Sequence, residues 1–191
     1  LDAISNGRVE LGVGLGWQEE EYEASGIPFD QRVKTFWETL DICQSLWTGG
    51  PVSHKGEIFE FNDIWCHPTP PQGSDIPLLF GVKMTEFNAQ KIAKIGHGWI
   101  PIKTSRDFIS EGSEKLNHAF KEAGRDDKPR IRGQLPTCVD SNGVPSVELT
   151  LKELEKSMEA GLEEIEVFPI NFAQSPDHLR EVLELIGELK K

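Results

Sequence analysis

The sequence predicts an α/β fold in which parallel strands alternate with helices. Five apolar runs of strand length are separated by stretches whose apolar residues recur every three or four positions, the spacing of an amphipathic helix. One segment, residues 50–76, interrupts this order with several prolines and glycines. Because strict alternation joins parallel strands through right-handed crossovers, the order of the elements favours a mostly parallel sheet.

Each element has its own signal in the chain. Compact apolar or alternating runs predict strands within residues 8–14, 77–80, 99–102, 131–139 and 164–168. Apolar stripes predict helices within residues 33–47, 85–96, 105–124, 150–161 and 175–189. Alternation around Lys55 and Gly56 predicts a short hairpin in the interrupting segment.

Capping residues predict where three of the helices begin. Thr85 is an N-cap candidate for the helix that ends at Gly96. Thr150 and Glu153 have the spacing of a capping box. Pro176 fits the first position of the closing helix, whose inner side includes Leu189.

Two architectures fit this pattern: an open doubly wound sheet of five strands, or the last five units of a (β/α)8 barrel. A complete barrel takes about 250 residues, so a chain of 191 residues would lack about three units. The chain begins at Leu1 rather than at a methionine, and residues 1–7 are typical of the end of a helix. The barrel interpretation therefore predicts one domain over residues 1–191, truncated at its N-terminus, with an insertion loop at residues 50–76.

Composition limits the partners of the protein. A net charge of −12 opposes binding to nucleic-acid backbones and to anionic membranes, and the acidic run at residues 19–23 is interpreted as a solvated face. Apolar runs are too short to span a membrane. Cys43, Cys66 and Cys138 are too few and too widely spaced for a disulfide framework, and the histidines lack metal-ligand spacing. We predict a cytoplasmic protein without a metal site.

Glycines alternate with other residues where the first predicted strand ends, at Gly12, Gly14 and Gly16. A dinucleotide-binding fingerprint needs the spacing G-x-G-x-x-G before a long helix and a second strand. Here the third glycine comes one residue early, and Trp17 occupies the position that the fingerprint reserves for glycine. The simple Rossmann interpretation therefore fails, and the glycines need another role.

Several stretches resemble the luciferase-like monooxygenase family, in the branch that includes flavin- and deazaflavin (F420)-dependent oxidoreductases. In order along the chain they are LDAISNGRVELGVGLGW, GIPFDQR, LWTGGPVSHKGEIFEF, HPTPPQ and IAKIGHGWIPI. The chain looks like the C-terminal two-thirds of that family, whose TIM barrel would place RVELGVG at its fourth strand. The resemblance therefore implies a partial barrel of about five units, strands four to eight.

The same resemblance implies a cofactor site at the carboxyl ends of the strands, which form the active face of a barrel. Gly14 and Gly16 would let the backbone lie against a flat cofactor. Residues 81–85 match a junction that commonly reads Gly-Gly-x-Ser/Thr and holds the cofactor phosphate at a helix N-terminus, although here the second glycine is replaced and the loop is about one residue longer. The expected cofactor-binding residues are Gly14, Gly16, Trp17, Gly81, Val82, Lys83 and Thr85.

Each of these assignments has a structural alternative. The glycines would relieve crowding in the barrel and its turn, Thr85 would only cap its helix, and Trp17 would pack beneath the insertion. A structural role is expected for His97, which enters a strand at the face opposite the active one. No catalytic residue is assigned, because the absent units would supply part of the pocket.

The resemblance implies an FMN- or F420-dependent oxidoreductase acting on a small organic substrate. With FMN the reduced cofactor would activate O2 for monooxygenation, and with F420 the step would be a hydride transfer. The alternatives are a non-catalytic flavin-binding or structural barrel fragment and an open flavodoxin-like module. For an isolated barrel fragment, open strand edges predict poor solubility or self-association, such as a homodimer.

Overall fold

The structure is a computed structural model that describes residues 1–173 and 175–188, so Leu189 of the predicted closing helix lies outside the described residues. The chain divides into two compact units, Leu1–Gly81 and Val82–Lys191. Both units contain strands that pair in parallel, as the alternation predicts. None of the helices in the described ranges is long and apolar enough to cross a membrane.

The first unit contains one parallel strand pair and one hairpin. Its elements are α1 (Asp2–Ser5), β1 (Leu11–Gly14), α2 (Glu19–Ala24), α3 (Arg32–Trp47), β2 (Val52–Lys55), β3 (Glu60–Ile64) and β4 (Leu78–Gly81). Strand β1 pairs with β4 from Leu11 beside Leu78 to Gly14 beside Gly81. Strands β2 and β3 form the antiparallel hairpin predicted within residues 50–76.

Aromatic packing fixes which face of β4 meets α3. The Phe80 side chain is fully buried and stacks on Trp37 of α3 at 5.3 Å between ring centroids, with the Phe36 ring edge-on at 6.2 Å. Because side chains alternate along a strand, Gly81 lies on the opposite face from Phe80. The register of the pair places Gly14 on that same opposite face.

One carboxylate on α3 holds the turn of the hairpin. Glu38 accepts backbone hydrogen bonds from Ile58 at 3.1 Å and Phe59 at 2.8 Å, and it contacts the His54 ring nitrogen at 3.0 Å. A Cβ atom at Gly56 would lie 2.1 Å from the Glu38 carboxylate, so glycine at this position leaves room for that carboxylate. Burial of Glu38 opposes ionisation, but the hydrogen bonds from Phe59, His54 and Ile58 outweigh it and lower the pKa of this carboxyl.

The second unit continues the alternation of strands and helices. Its elements are α4 (Glu86–Ile95), β5 (Gly98–Trp99), α5 (Arg106–Glu122), β6 (Arg130–Gln134), α6 (Val147–Glu159), β7 (Glu164–Glu166) and α7 (Pro176–Glu188). Strand β6 pairs in parallel with β5 on one side and with β7 on the other. Helix α5 packs closely on Trp99 at Gly112. A Cβ atom at Gly112 would lie 2.2 Å from the indole ring, so glycine leaves the space that the ring occupies.

The predicted capping box at Thr150 is wrong. Helix α6 begins at Val147, and its N-cap is Ser146, whose hydroxyl accepts a hydrogen bond from the Leu149 backbone at 3.3 Å. Thr150 lies in the first turn of the helix and is buried, where its hydroxyl accepts from the Cys138 backbone at 2.9 Å. A tertiary hydrogen bond therefore occupies the hydroxyl that the local spacing assigned to the cap.

The Glu38 contacts generate a stability prediction. We expect Glu38→Gln to lower the thermal unfolding midpoint at pH 7, because a neutral amide replaces the carboxylate that accepts the turn's N–H groups. Glu57→Gln is the matched control, since it removes one charge from the same hairpin but only an exposed pair with Lys34. Equal midpoints for the wild type and Glu38→Gln at pH 7 would refute this role.

The same carboxylate predicts a pH dependence. The pKa of Glu38 is lowered in the folded state, so its stabilisation is present above the unfolded pKa of about 4.3 and is lost as pH falls through the folded pKa. The difference in midpoint between the wild type and Glu38→Gln should therefore be largest near neutral pH and shrink in acid. A difference that grows in acid would contradict this assignment.

Candidate cofactor site

Two glycines lie side by side where β1 and β4 end. Gly14 and Gly81 are register partners, and a Cβ atom at Gly14 would lie 3.1 Å from the Gly81 carbonyl oxygen. Such a contact is tighter than ordinary van der Waals packing, so a side chain at Gly14 would press on the neighbouring strand. The carboxyl ends of these two strands therefore present backbone alone on the face opposite Phe80.

The loop after β1 is held in place by α2. Gly16 has a φ of +69°, a left-handed conformation that side chains disfavour. The Tyr22 hydroxyl donates a hydrogen bond to the Leu15 carbonyl. Trp17 is 81% exposed, which contradicts the alternative that it packs beneath the insertion. Its role as a wall of the cofactor pocket stays a prediction.

Two side-chain hydrogen bonds hold the turn that leads into α4. The Thr85 hydroxyl accepts from the Asn88 backbone at 3.2 Å, which confirms Thr85 as the N-cap. The Asn88 side-chain amide donates to the Lys83 carbonyl at 2.9 Å. Because the Thr85 hydroxyl accepts in the cap, its own proton is left to donate to a ligand. Capping and phosphate binding by Thr85 are therefore compatible.

A buried tryptophan anchors the start of this turn. The indole N–H of Trp99 donates to the Val82 carbonyl at 2.8 Å, and Trp99 has no exposed surface. Val82 and Met84 are buried, whereas Lys83 and Thr85 are exposed. The turn thus fixes its backbone on the protein interior and offers its two polar side chains to solvent.

Lys83 lies near the charged pair of Glu111 and Lys115. The hydrogen bond from Lys115 lowers the pKa of the Glu111 carboxyl, and the charge of Lys83 lowers it further. The first turn of α4 also carries Glu86. The carboxylates of Glu111 and Glu86 partly offset the positive charge of the lysines. A bound phosphate would therefore depend on the helix N-terminus and the Thr85 hydroxyl as much as on Lys83.

The structure brings part of the expected site together within each unit. In the first unit, Gly14 and Gly81 are adjacent, and Gly16 and Trp17 follow them on the loop from β1. In the second unit, residues 82–85 form one compact turn.

Two polar residues that were not predicted, Gln134 and Glu166, also end neighbouring strands. The alternation of polar residues in β6 was the signal that would have found the first of them.

The first unit also has a groove of about 460 Å³ between β1 and α3, here called the β1–α3 groove. The residues that line it include Val13, Gly14, Arg32, Leu40 and Cys43. Among the described residues, no group of three or more His, Cys, Asp or Glu side chains is placed to hold a metal ion.

Sequence comparison finds a matching family and several relatives of this chain. The family model described as luciferase-like monooxygenase matches residues 1–151. The uncharacterised protein Rv0953c of Mycobacterium tuberculosis is 39% identical over 132 residues, which are 69% of this chain and 46% of that protein. Pyrimidine monooxygenase RutA of Yersinia enterocolitica is 32% identical in an alignment 139 residues long that covers 66% of this chain and 36% of RutA. The chain thus spans about half, or less, of the length of these curated relatives.

Solved structures share the fold. The coenzyme F420-dependent tetrahydromethanopterin reductase of Methanopyrus kandleri aligns with a TM-score of 0.68 and 15% identity, over 94% of this chain and 72% of the reductase. The FMN complex of a type II Baeyer-Villiger monooxygenase from Pseudomonas putida aligns with a TM-score of 0.59 and 18% identity, over 81% of this chain and 46% of that enzyme. These likenesses confirm the predicted α/β class and its assignment as a partial (β/α)8 barrel. The chain belongs to the luciferase-like monooxygenase family.

Proposed function

We propose that this chain binds FMN or F420 and forms part of an oxidoreductase that acts on a small organic substrate. The observation that carries the proposal is the pairing of Gly14 with Gly81 at the carboxyl ends of β1 and β4. Neither glycine has a side chain of its own to keep a flat ring away from these strand ends, and a Cβ atom at Gly14 would already be crowded. The carboxyl ends of barrel strands are where the active sites of this fold lie.

The residues expected to hold the cofactor have distinct parts in this proposal. Gly14, Gly16 and Gly81 let the ring lie against backbone, and Trp17 closes one side of it. The exposed Thr85 hydroxyl donates to the cofactor phosphate, helped by the N-terminus of α4. When bound, the cofactor supplies the redox chemistry, while the protein orients it and excludes competing reactions.

The names of similar proteins support both cofactors. FMN is bound in the similar monooxygenase structure, and F420 is named for the similar reductase. RutA is named as a monooxygenase of pyrimidines, which supports a small organic substrate. A cytoplasmic location and association as a homodimer stay predictions from composition and from the strand edges. The rival function is a non-catalytic flavin-binding or structural protein.

Titration of the full chain with each cofactor tests the proposal. We expect saturable binding of FMN or of F420. Quenching of the fluorescence of the five tryptophans measures this binding. Riboflavin is the matched control ligand for FMN, since it has the same ring without the phosphate. If neither cofactor binds while circular dichroism shows a folded protein, the oxidoreductase proposal fails and the structural alternative is favoured.

Thr85 variants separate phosphate binding from capping. Thr85→Ala should lower stability by about 1 kcal/mol through loss of the cap. It should also weaken binding of the preferred cofactor by about 1.5–3 kcal/mol through loss of a hydrogen bond to a charged group. Thr85→Ser keeps the hydroxyl and should restore both. Normal cofactor affinity in Thr85→Ala, together with lower stability, would mean that Thr85 is only a cap.

Trp99 should affect the phosphate turn from within the core. Trp99→Phe removes the N–H that satisfies the buried Val82 carbonyl, so we expect a loss of stability of about 1–3 kcal/mol and weaker cofactor binding. Trp17→Phe is the matched control for stability, because Trp17 is exposed. Denaturant unfolding and cofactor titration measure the two effects. Equal unfolding midpoints for the two variants would contradict the anchoring role of Trp99.

A further inference from the structure

The two faces of β6 carry different chemistry. Ile131 and Gly133 are buried on one face, whereas Arg130, Arg132 and Gln134 occupy the alternate positions of the other. In a (β/α)8 barrel, the face that helices do not cover is the interior of the barrel. The polar face of β6 therefore belongs to that interior.

Near the amino ends of β6 and β7, this face is occupied by ion pairs. The Nε atoms of Arg130 and Arg132 donate to the two oxygens of Glu164 at 2.5 and 2.6 Å. The hydrogen bond from Arg130 lowers the pKa of the Glu164 carboxyl. Burial opposes this shift, and the hydrogen bond from Arg132 adds to it. Glu164 is thus committed to two guanidinium groups.

The carboxyl ends of the same strands present a different pair. Gln134 and Glu166 are register partners, so their side chains leave neighbouring strands on the same face. In the part of the chain that the structure describes, the Glu166 side chain forms no ion pair. Glu166 therefore differs from Glu164, two residues earlier, whose charge is neutralised.

Hydrogen bonds beyond the strands hold this end of the unit together. The Leu135 backbone donates to the Glu166 carbonyl at 3.2 Å, which extends the pairing past Gln134. The Asn171 side-chain amide donates to the Thr137 hydroxyl at 3.2 Å, which ties the segments that follow β6 and β7. The backbones that carry Gln134 and Glu166 are therefore fixed before any ligand arrives.

We infer that Gln134 and Glu166 bind the polar edge of an uncharged substrate in which an N–H group adjoins a carbonyl, as in an amide, lactam or ureide. The Glu166 carboxylate accepts from the ligand N–H, and the Gln134 amide donates to the ligand carbonyl. This inference rests on the proposed function, because it names the substrate class of that oxidoreductase. It uses residues apart from those proposed to hold the cofactor.

Charge on this face favours an uncharged ligand. Among the described residues, the two guanidinium groups of Arg130 and Arg132 are balanced by the two carboxylates of Glu164 and Glu166. An anionic ligand at the strand ends would meet the carboxylate of Glu166 first and be repelled. A ligand without an N–H would leave that carboxylate without a hydrogen bond after displacing its water, which costs affinity.

A pair of small lactams tests the inference. The full chain is titrated with 2-piperidone and with N-methyl-2-piperidone, which lacks the N–H, while NMR follows the side-chain amide signals of Gln134, assigned with Gln134→Leu. We expect 2-piperidone to shift these signals and to bind at least tenfold more tightly than its methylated analogue. Equal affinities, or shifts that do not involve Gln134, would overturn the inference.

Two variants complete the test. Glu166→Gln should weaken 2-piperidone binding at least tenfold, whereas Glu163→Gln, which changes an exposed carboxylate just before β7, should leave it unchanged. Unchanged binding in Glu166→Gln would overturn the inference. FMN and F420 titrations of the same proteins keep the two proposals apart: discrimination between the lactams without cofactor binding refutes the oxidoreductase, and cofactor binding without discrimination refutes the lactam site.

Discussion

The register of the β1–β4 pair decides what the carboxyl ends of these strands can hold. Phe80 of β4 stacks on Trp37 of α3, so its side chain points toward that helix. Gly81 and its register partner Gly14 therefore lie on the other face of the strand pair. Because side chains alternate with a period of two, a slip by one residue would exchange the two faces and replace backbone with bulky side chains. The glycine pair is thus a consequence of aromatic packing on the far side of the sheet.

The second unit uses the same alternation for another purpose. Burial of Ile131 on the helix side leaves Gln134, with its register partner Glu166, on the barrel interior. Trp99 both packs in the core and holds a turn. Its ring packs on α5, while its N–H donates to the Val82 carbonyl at the turn into α4. In both units, packing against the helices fixes the position of groups that we propose to face a ligand.

The sequence predicts those features whose interaction partners lie close together along the chain. Thr85 was identified as a cap because its hydrogen-bond partner lies three residues away, and strand and helix alternation followed from periodicity. Thr150 was misassigned because its partner, Cys138, lies twelve residues earlier across a loop. The pairing of Gln134 with Glu166 was missed because it depends on the register of two strands, which periodicity does not encode. The exposure of Trp17 likewise depends on how the loop after β1 folds.

The central claim is that a cofactor lies against the paired glycines, and a map of its contacts tests that claim most directly. Backbone amide NMR signals of the full chain are followed while FMN or F420, whichever binds, is added. The account predicts that the largest changes fall on Gly14, Gly16 and Gly81, with little change at Leu11 and Leu78 at the opposite strand ends. Changes centred instead on Leu40 and Cys43 of the β1–α3 groove, with Gly81 unaffected, would contradict it.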